Sequence, residues 1–378
     1  MDTQPSLVPT RRVLIGSLAA GLPIDEATLV LDLGPDHPSR AGLLEIHLTV
    51  AGDIVTAARV LPGAMHRGVE KLFEVRDYRQ ILMLADRHDW QAPFFGELAA
   101  AETFEGMLRL EPPARAVGVR ILLAEHTRIL SHLGFLGWTV ADEPDLAARV
   151  RATREALRRS TTALTGNRVH PMVARIGGVS VDPDPAWLTG EADLMVRVEE
   201  LAGALGTHGF PGAGVAPVTE ELVDAFGLSG PLARSAGVRL DSRLTAPAYA
   251  DLLDHLHAPP STAGDAHARF AALAAECGDS ARMVQHVCHH LPAGPIQERL
   301  PRIVKLPEGE TYHFVEAPLG RSGFHLVSRG DKTPWRMKLR SPSFPHVAAL
   351  EALLPGTRAD DVETVLASVG YVIGDLDK

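Results

Sequence analysis

The spacing of apolar residues changes twice along the chain, and this change restricts the fold more than any other feature. Between residues 43 and 60 apolar and polar residues alternate, interrupted by Ala51-Gly52-Asp53, which predicts two strands joined by a turn. From Val69 to about residue 290 the apolar residues recur at helical spacings. Alternation returns near residue 311. The pattern predicts an α+β fold with a small N-terminal antiparallel β-sheet, a central helical bundle, and C-terminal β-strands with short helices.

The predicted elements divide the chain into a tail and one domain. Residues 1–25 are expected to form a variable N-terminal tail, and residues 26–378 a single domain. Prolines mark several predicted helix boundaries, as at Pro112-Pro113. The main predicted helices cover residues 116–136, 147–164, 187–205, 219–226 and 266–290, and the predicted strands cover residues 28–33, 43–50, 54–60, 311–316, 323–328 and 335–339.

Composition excludes several classes of protein. The net charge of −10 argues against nucleic-acid binding, which requires clustered Lys and Arg. Two cysteines provide neither a disulfide framework nor a Cys-rich zinc site, and they fit a reducing compartment. No apolar run approaches the ~20 residues that span a bilayer. Residues 13–22 follow Arg11-Arg12 and imitate a twin-arginine signal, but no cleavage site follows, so export is the weaker interpretation.

Two polar clusters lie in the first ninety residues. The first, at residues 34–39, holds His37 between two prolines just after a predicted strand, which suits either a positioned side chain or an ordinary surface turn. The second is Asp86-Arg87-His88-Asp89-Trp90, within an apolar helical region. Some of these five residues must be buried, and buried charges require partners. Such a cluster is typical of a functional site or of a structural ion-pair network.

Two further clusters lie in the second half of the bundle. Arg168 and His170 precede Arg175, which stands beside a pair of glycines, and the arginines suit either an anion or cofactor nearby or a subunit interface. His286 and His290 are separated by one helical turn and flank Cys288. This spacing is compatible with a metal, but zinc needs further ligands, so histidines at a helix C-terminus are the preferred interpretation and no metal site is predicted.

The sequence lacks the usual loops of nucleotide-binding and hydrolytic enzymes. It contains no G-x-G-x-x-G, no G-x-x-x-x-G-K-[ST] and no G-x-S-x-G motif. Any nucleotide chemistry therefore belongs to another chain.

The clusters, taken in order, resemble the D-subunit family of NADH–quinone oxidoreductase (respiratory complex I). The resemblance covers nearly everything from about residue 29 to the end. The motifs that carry it are Gly34-Pro35-Asp36-His37-Pro38-Ser39, His66-Arg67-Gly68-Val69-Glu70-Lys71, Asp86-Arg87-His88-Asp89, Thr165-Gly166-Asn167-Arg168-Val169-His170, Arg175-Ile176-Gly177-Gly178-Val179 and Gly374-Asp375-Leu376-Asp377-Lys378.

The resemblance implies a [NiFe]-hydrogenase large-subunit-like fold without its metal, and the sequence has no paired C-x-x-C ligands. It implies a subunit that binds no cofactor itself and works with a small iron–sulfur subunit and other complex I subunits, including a membrane arm. NADH is oxidised by another subunit, and quinone is the substrate. The assembly is expected on the cytoplasmic face of the cell membrane, as a peripheral subunit that couples electron transfer to proton translocation.

The resemblance also implies roles for individual residues. Arg87 and His170 are expected to approach the partner's terminal iron–sulfur cluster, where a hydrogen-bonding group raises the reduction potential. The quinone pocket is expected at His37, Ala41, Arg67, Asp89, Trp90 and Asp142.

Two of these positions depart from the family. Ala41 replaces a histidine and Trp90 replaces a tyrosine, so neither supplies a proton to a quinone. Asp142 matches an aspartate that pairs with the missing histidine. These departures indicate a divergent paralogue, and they leave open an alternative in which the chain is a structural or assembly subunit that reduces no quinone.

Overall fold

The computed structural model describes residues 10–15, 28–31, 33, 37–38 and 44–378. Within these ranges the chain is a mixed helix-and-sheet protein, with one sheet near each end and helices between them. The architecture predicted from the change of period is therefore confirmed at this level. None of the helices in the described ranges combines the length and the apolar character needed to cross a membrane.

The N-terminal sheet contains four strands: β1 (Thr10–Ile15), β2 (Thr28–Leu31), β3 (Glu45–Ala51) and β4 (Ile54–Leu61), in the order β2-β1-β3-β4. The predicted hairpin of β3 and β4 is confirmed, and β3 buries every second side chain as its alternation requires. β1 runs parallel to β2, so the sheet is not purely antiparallel. β1 also lies in the segment assigned to the tail, where Arg11-Arg12 obscures the alternation; the division at residue 25 stays a prediction.

The central helices were mostly predicted within a few residues. They are α1 (Val69–Glu74), α2 (Tyr78–Ala85), α3 (Pro93–Leu108), α4 (Ala114–Thr139), α5 (Pro144–Thr165), α6 (Pro185–His208), α7 (Glu220–Phe226), α8 (Gly230–Arg234) and α9 (Ala266–His290). The short strands β5 (Ala174–Arg175) and β6 (Gly178–Val179) lie between α5 and α6. α9 packs against both α4 and α6, which forms the main core.

The C-terminal part adds the antiparallel sheet of β7 (Gly309–Ala317), β8 (Gly320–Ser328) and β9 (Arg336–Arg340). Three short helices follow: α10 (Ser343–Leu353), α11 (Val362–Val369) and α12 (Ile373–Leu376). β7 and β8 pack on α3, whereas α10 packs on β4 and builds a second core with the N-terminal sheet. Trp90 contacts both cores, which places residues 86–92 at their junction.

Candidate functional site

The Asp86–Trp90 segment is a turn between α2 and α3, not part of a helix as the sequence suggested. α2 begins with a capping box at Asp77 and ends at Ala85, and α3 starts again at Pro93. The two helices approach so closely that a Cβ on Gly96 would lie 1.9 Å from the backbone oxygen of Ala85. The turn buries three of its polar side chains and exposes Arg87, so the predicted burial of charge is confirmed.

Asp86 brings Arg87 and His170 together. Its Oδ1 accepts a hydrogen bond from Nε of Arg87 at 2.8 Å, and its backbone oxygen accepts one from Nδ1 of His170 at 3.1 Å. Because a carbonyl oxygen only accepts, His170 carries its proton on Nδ1 and leaves Nε2 as an acceptor when neutral. The side chains of Arg87 and His170 are 47% and 24% exposed, so both can contact a neighbouring molecule.

Burial is the main cause of the shifted pKa values of Asp86 and His170. Desolvation raises the pKa of Asp86 to about 6, although Arg87 opposes the increase. Burial also lowers the pKa of His170, and the positive charge of Arg87 lowers it further. The group therefore presents a positive guanidinium and a neutral imidazole at neutral pH.

His88 and Asp89 face the C-terminal end of the chain. Nδ1 of the buried His88 lies 2.8 Å from Oδ1 of Asp375, whose Oδ2 accepts a hydrogen bond from the backbone of Ser343. Asp89 accepts hydrogen bonds from the backbone nitrogens of Gln91 and Ala92. Burial, followed by the negative charge of Asp375, raises the pKa of Asp89 to about 7. Burial therefore favours the protonated form of Asp89 more strongly than water does.

Trp90 fills the space beside Gly374. A Cβ on Gly374 would lie 2.4 Å from the Trp90 ring. On its other side Trp90 lines a cleft of about 40 Å³ together with Gln91, Thr127 and Arg158. A cleft of this volume, formed by the described residues alone, holds no more than a few water molecules.

Arg67 is the third predicted quinone-pocket residue in this neighbourhood, after Asp89 and Trp90. Its side chain is exposed, and its Nη2 donates a hydrogen bond to the backbone oxygen of Arg87 at 3.4 Å. The preceding turn is held by Asp377, whose carboxylate accepts from the backbone nitrogens of Gly63 and Met65 at 2.8 and 2.7 Å. The C-terminal residues therefore position both the Arg67 turn and His88.

Of the remaining predicted pocket residues, His37 and Asp142 lie among the described residues. His37 is buried, its ring lies edge-on to Trp138 with centroids 5.7 Å apart, and its Nε2 donates to the backbone oxygen of Glu363 at 3.1 Å. Burial lowers the pKa of His37, which makes the ring neutral at pH 7. Asp142 is exposed in the turn between α4 and α5. Ala41 lies outside the described residues.

Sequence reasoning missed Asp375 and Glu97 as parts of the site. Asp375 is 287 residues from His88, and no local pattern reveals that pairing. Glu97, buried in α3, accepts a hydrogen bond from the backbone of Ala174 at 2.7 Å, and burial raises its pKa to about 8. The sequence feature that could have identified Glu97 is its carboxyl group within the otherwise apolar helix α3.

The His286 cluster forms no metal site in the described part of the chain. The rings of His286 and His290 lie 4.4 Å apart, and that of His255 lies 5.5 Å from His286. Nδ1 of His290 donates to the backbone oxygen of His286 at 2.8 Å. No group of three or more His, Cys, Asp or Glu side chains among the described residues is arranged to hold a metal ion.

Comparisons with known proteins agree with one another. Residues 147–305 and 300–378 match the family described as the 49 kDa subunit of respiratory-chain NADH dehydrogenase. The NADH-quinone oxidoreductase D-subunit numbered 1 of Streptomyces coelicolor is 40% identical over 98% of this chain and 100% of its own length. The D-subunit numbered 2 of Streptomyces griseus subsp. griseus is 41% identical over 96% of this chain and 95% of its own length.

A solved structure of a respiratory membrane complex also contains a chain similar to this one. One chain of the membrane-bound sulfane sulfur reductase, described as an archaeal respiratory membrane complex, superposes with a TM-score of 0.84. It is 28% identical in sequence, and the alignment covers 91% of this chain and 97% of that one.

Proposed function

The chain belongs to the family of the 49 kDa subunit of respiratory-chain NADH dehydrogenase, and we propose that it helps to form a quinone-reduction cavity beside an iron–sulfur cluster of a partner subunit. In this proposal the chain acts only within a complex I-type assembly and binds no cofactor itself. A small iron–sulfur subunit supplies the cluster, and another subunit oxidises NADH. A membrane arm couples electron transfer to proton translocation, and this chain lies peripherally on the cytoplasmic face of the membrane. We also propose that the chain has a fold like that of the [NiFe]-hydrogenase large subunit.

The arrangement of Arg87, Asp86 and His170 carries the proposal. The buried carboxylate of Asp86 accepts a hydrogen bond from Arg87, and the backbone carbonyl of Asp86 accepts one from the imidazole of His170. The side chains of Arg87 and His170 both reach the surface. The positive charge of the Arg87 guanidinium beside an iron–sulfur cluster stabilises the reduced form of the cluster and raises its potential, whereas the neutral imidazole of His170, whose Nδ1–H is bound to Asp86, adds no charge. A raised potential suits the last cluster before an acceptor.

The neighbouring Asp89 supplies a group for the proton side of the reaction. Reduction of a quinone to a quinol consumes two electrons and two protons, and a proton donor works best with a pKa near the working pH. The pKa of Asp89 is about 7, and the residue lies in the same turn as Arg87. Asp89 therefore offers a proton where Ala41 and Trp90 offer none.

A second candidate function is that of a structural subunit that reduces no quinone. The observation that favours it is the cleft of about 40 Å³ at Trp90, whose ring is packed against Gly374. The archaeal complex with a similar chain is named for the reduction of sulfane sulfur, so related subunits occur in complexes with different acceptors.

Quinone reductase activity of the purified assembly separates the two candidates. The wild type is compared with the double variant Ala41→His, Trp90→Tyr, and with Asp224→Asn, at an exposed residue of α7, as a surface control. Activity in the wild type that falls at least tenfold in Asp89→Asn supports quinone reduction with Asp89 as the proton donor. An inert wild type whose double variant gains activity supports the structural subunit and refutes the first proposal.

A further inference from the structure

Asp86 and Glu97 each have one buried carboxylate oxygen without a partner. Asp86 directly follows α2 and Glu97 lies near the start of α3, and the two helices meet closely at Gly96. Among the buried side-chain atoms of the described residues, Oδ2 of Asp86 and Oε1 of Glu97 are the only carboxylate oxygens that lack a hydrogen-bond partner. Buried polar groups are nearly always hydrogen-bonded, so two such exceptions on touching helices indicate a contact between them.

Glu97 has no cation bound to it among the described residues. Its Oε2 accepts a hydrogen bond from the backbone nitrogen of Ala174 at 2.7 Å. The guanidinium of Arg175 is nearby, but it donates to the backbone oxygens of Met172 and Ala174 at 2.9 and 2.8 Å. Burial, and then the negative charge of Asp86, raises the pKa of Glu97 to about 8. A buried carboxyl group without a cation keeps its proton at neutral pH.

A proton on Glu97 satisfies both unpartnered oxygens at once. A protonated carboxyl group has one O–H that donates, whereas a carboxylate only accepts. The pKa of Asp86 is about 6 and that of Glu97 is about 8, so at neutral pH the pair carries one proton, on Glu97, and one negative charge, on Asp86. Neighbouring carboxyl groups share a proton in this way because two adjacent negative charges repel each other.

The same two residues fasten both ends of one loop. His170 donates to the backbone oxygen of Asp86, and Ala174 donates to the carboxyl group of Glu97. Between these anchors Met172 has a φ of 51°, in the left-handed region that disfavours any residue with a Cβ. A strained backbone of this kind persists only where its surroundings hold it. The position of His170 therefore depends on both anchors.

We propose that Glu97 is a positioning residue that stays protonated at neutral pH, donates a hydrogen bond to Oδ2 of Asp86, and holds the loop that presents His170. A hydrogen bond to the charged form favours that form, so Asp86 remains negative and keeps its hydrogen bond to Arg87. The inference rests on the proposed function, because Arg87 and His170 are the side chains expected to face the partner's cluster. Its tests use the purified full chain alone, so their outcome does not depend on whether the assembly reduces quinone.

Infrared spectroscopy tests the protonation of Glu97. A protonated carboxyl group has a C=O stretch separate from the carboxylate bands, and glutamate labelled with carbon-13 shifts that stretch, whereas a protonated Asp89 does not respond to the label. We expect a label-sensitive band at pH 7 that disappears in Glu97→Gln and remains in the exposed control Glu200→Gln. A wild type without such a band, or a band that survives in Glu97→Gln, overturns the proposal.

The variant Asp86→Asn identifies the acceptor. His88 is the rival, because its Nε2 is also buried without a partner and lies beside Gly96. We expect the band of Glu97 to move in Asp86→Asn, since an amide oxygen is a weaker acceptor than a carboxylate. A band that keeps its position assigns the proton to another acceptor, such as His88, and overturns the shared pair.

Two replacements of Glu97 test the positioning of His170. Glu97→Gln resembles the protonated carboxyl group and can make both hydrogen bonds, whereas Glu97→Leu has a similar size and can make neither. NMR of the chain with nitrogen-15-labelled histidine reports the tautomer and the titration of His170. We expect Glu97→Gln to keep the Nδ1–H tautomer and the lowered pKa of His170. We expect Glu97→Leu to lose the tautomer and to shift the pKa of His170 toward its ordinary value of 6.5.

The other outcomes contradict the proposal. If both variants match the wild type, Glu97 does not position His170. If both lose the tautomer, a negative charge on Glu97 is required, which excludes the protonated form. The infrared band and Glu97→Gln decide the question even where Glu97→Leu does not fold, because neither depends on that variant.

Discussion

Replacing Asp86 by Asn tests whether a buried charge at the candidate site costs stability. The carboxyl group of Asp86 is fully buried, its Oδ1 is bound by Arg87, and its Oδ2 has no hydrogen-bond partner in the described structure. Burial raises its pKa from 3.8 to about 6. Asn keeps the shape and an accepting oxygen for Arg87, but it removes the charge and its titration.

The sign of the effect follows from the direction of the pKa change. The folded chain binds this proton more tightly than the unfolded chain, so the contribution is fully present below about pH 4 and is lost as the pH rises through about 6. A pKa raised from 3.8 to about 6 corresponds to about 3 kcal/mol. We therefore expect Asp86→Asn to be more stable than the wild type at pH 7.5 by up to about 3 kcal/mol.

Urea unfolding of the full chain at several pH values between 4 and 8 measures this difference. Asp89 and Glu97 also have raised pKa values and contribute to the wild-type pH dependence, so the informative quantity is the difference between variant and wild type. Asp142→Asn is the control, because Asp142 is exposed and its replacement should change little. A variant whose stability relative to the wild type is the same at pH 4.5 and pH 7.5 would refute the reasoning.

Three further predictions follow from contacts around the site. Arg87→Ala removes a positive charge and should lower the midpoint potential of the partner's cluster in an EPR-monitored titration, whereas Arg149→Ala on exposed α5 should leave it unchanged. Asp377→Ala leaves two backbone N–H groups without their carboxylate acceptor, so the free energy of unfolding measured in urea should fall by about 1–3 kcal/mol. An unchanged midpoint of the urea unfolding curve would contradict this. Gly96→Ala forces a Cβ against a backbone oxygen 1.9 Å away and should lower the free energy of unfolding by more than about 3 kcal/mol in the same assay. The control Gly203→Ala should be neutral or stabilising by up to about 1 kcal/mol. Equal effects of the two changes would argue against the close packing of α2 and α3.

Helices and strands whose apolar residues recur at regular spacing could be predicted from the sequence. The alternation in β3 was sufficient to identify a strand, because one of its faces is buried and the other is not. α9 was predicted at its observed bounds, since apolar residues at helical spacing run without interruption until residues 291–309 begin. β1 could not be predicted in the same way, because its two arginines break the alternation.

The site could be predicted only in part. The burial of Asp86, His88 and Asp89 follows from the density of polar residues in an apolar region. The turn that holds them could not be recognised, because Pro93 starts α3 only after seven irregular residues and no glycine marks the break. Long-range pairings such as His88 with Asp375 depend on the whole fold, and no local pattern encodes them.

The hydrogen bond between His88 and Asp375 closes a loop of 287 residues, and this has a consequence for how the protein is made. Ribosomes add roughly 5–20 residues per second, so the turn waits on the order of tens of seconds for its partner after it emerges. During that time the α2–α3 turn has its polar side chains but lacks the carboxylate that holds His88. The turn is therefore completed only after residue 375 has been made, and a protein that docked on it before that point would meet a turn in which His88 lacks its carboxylate partner.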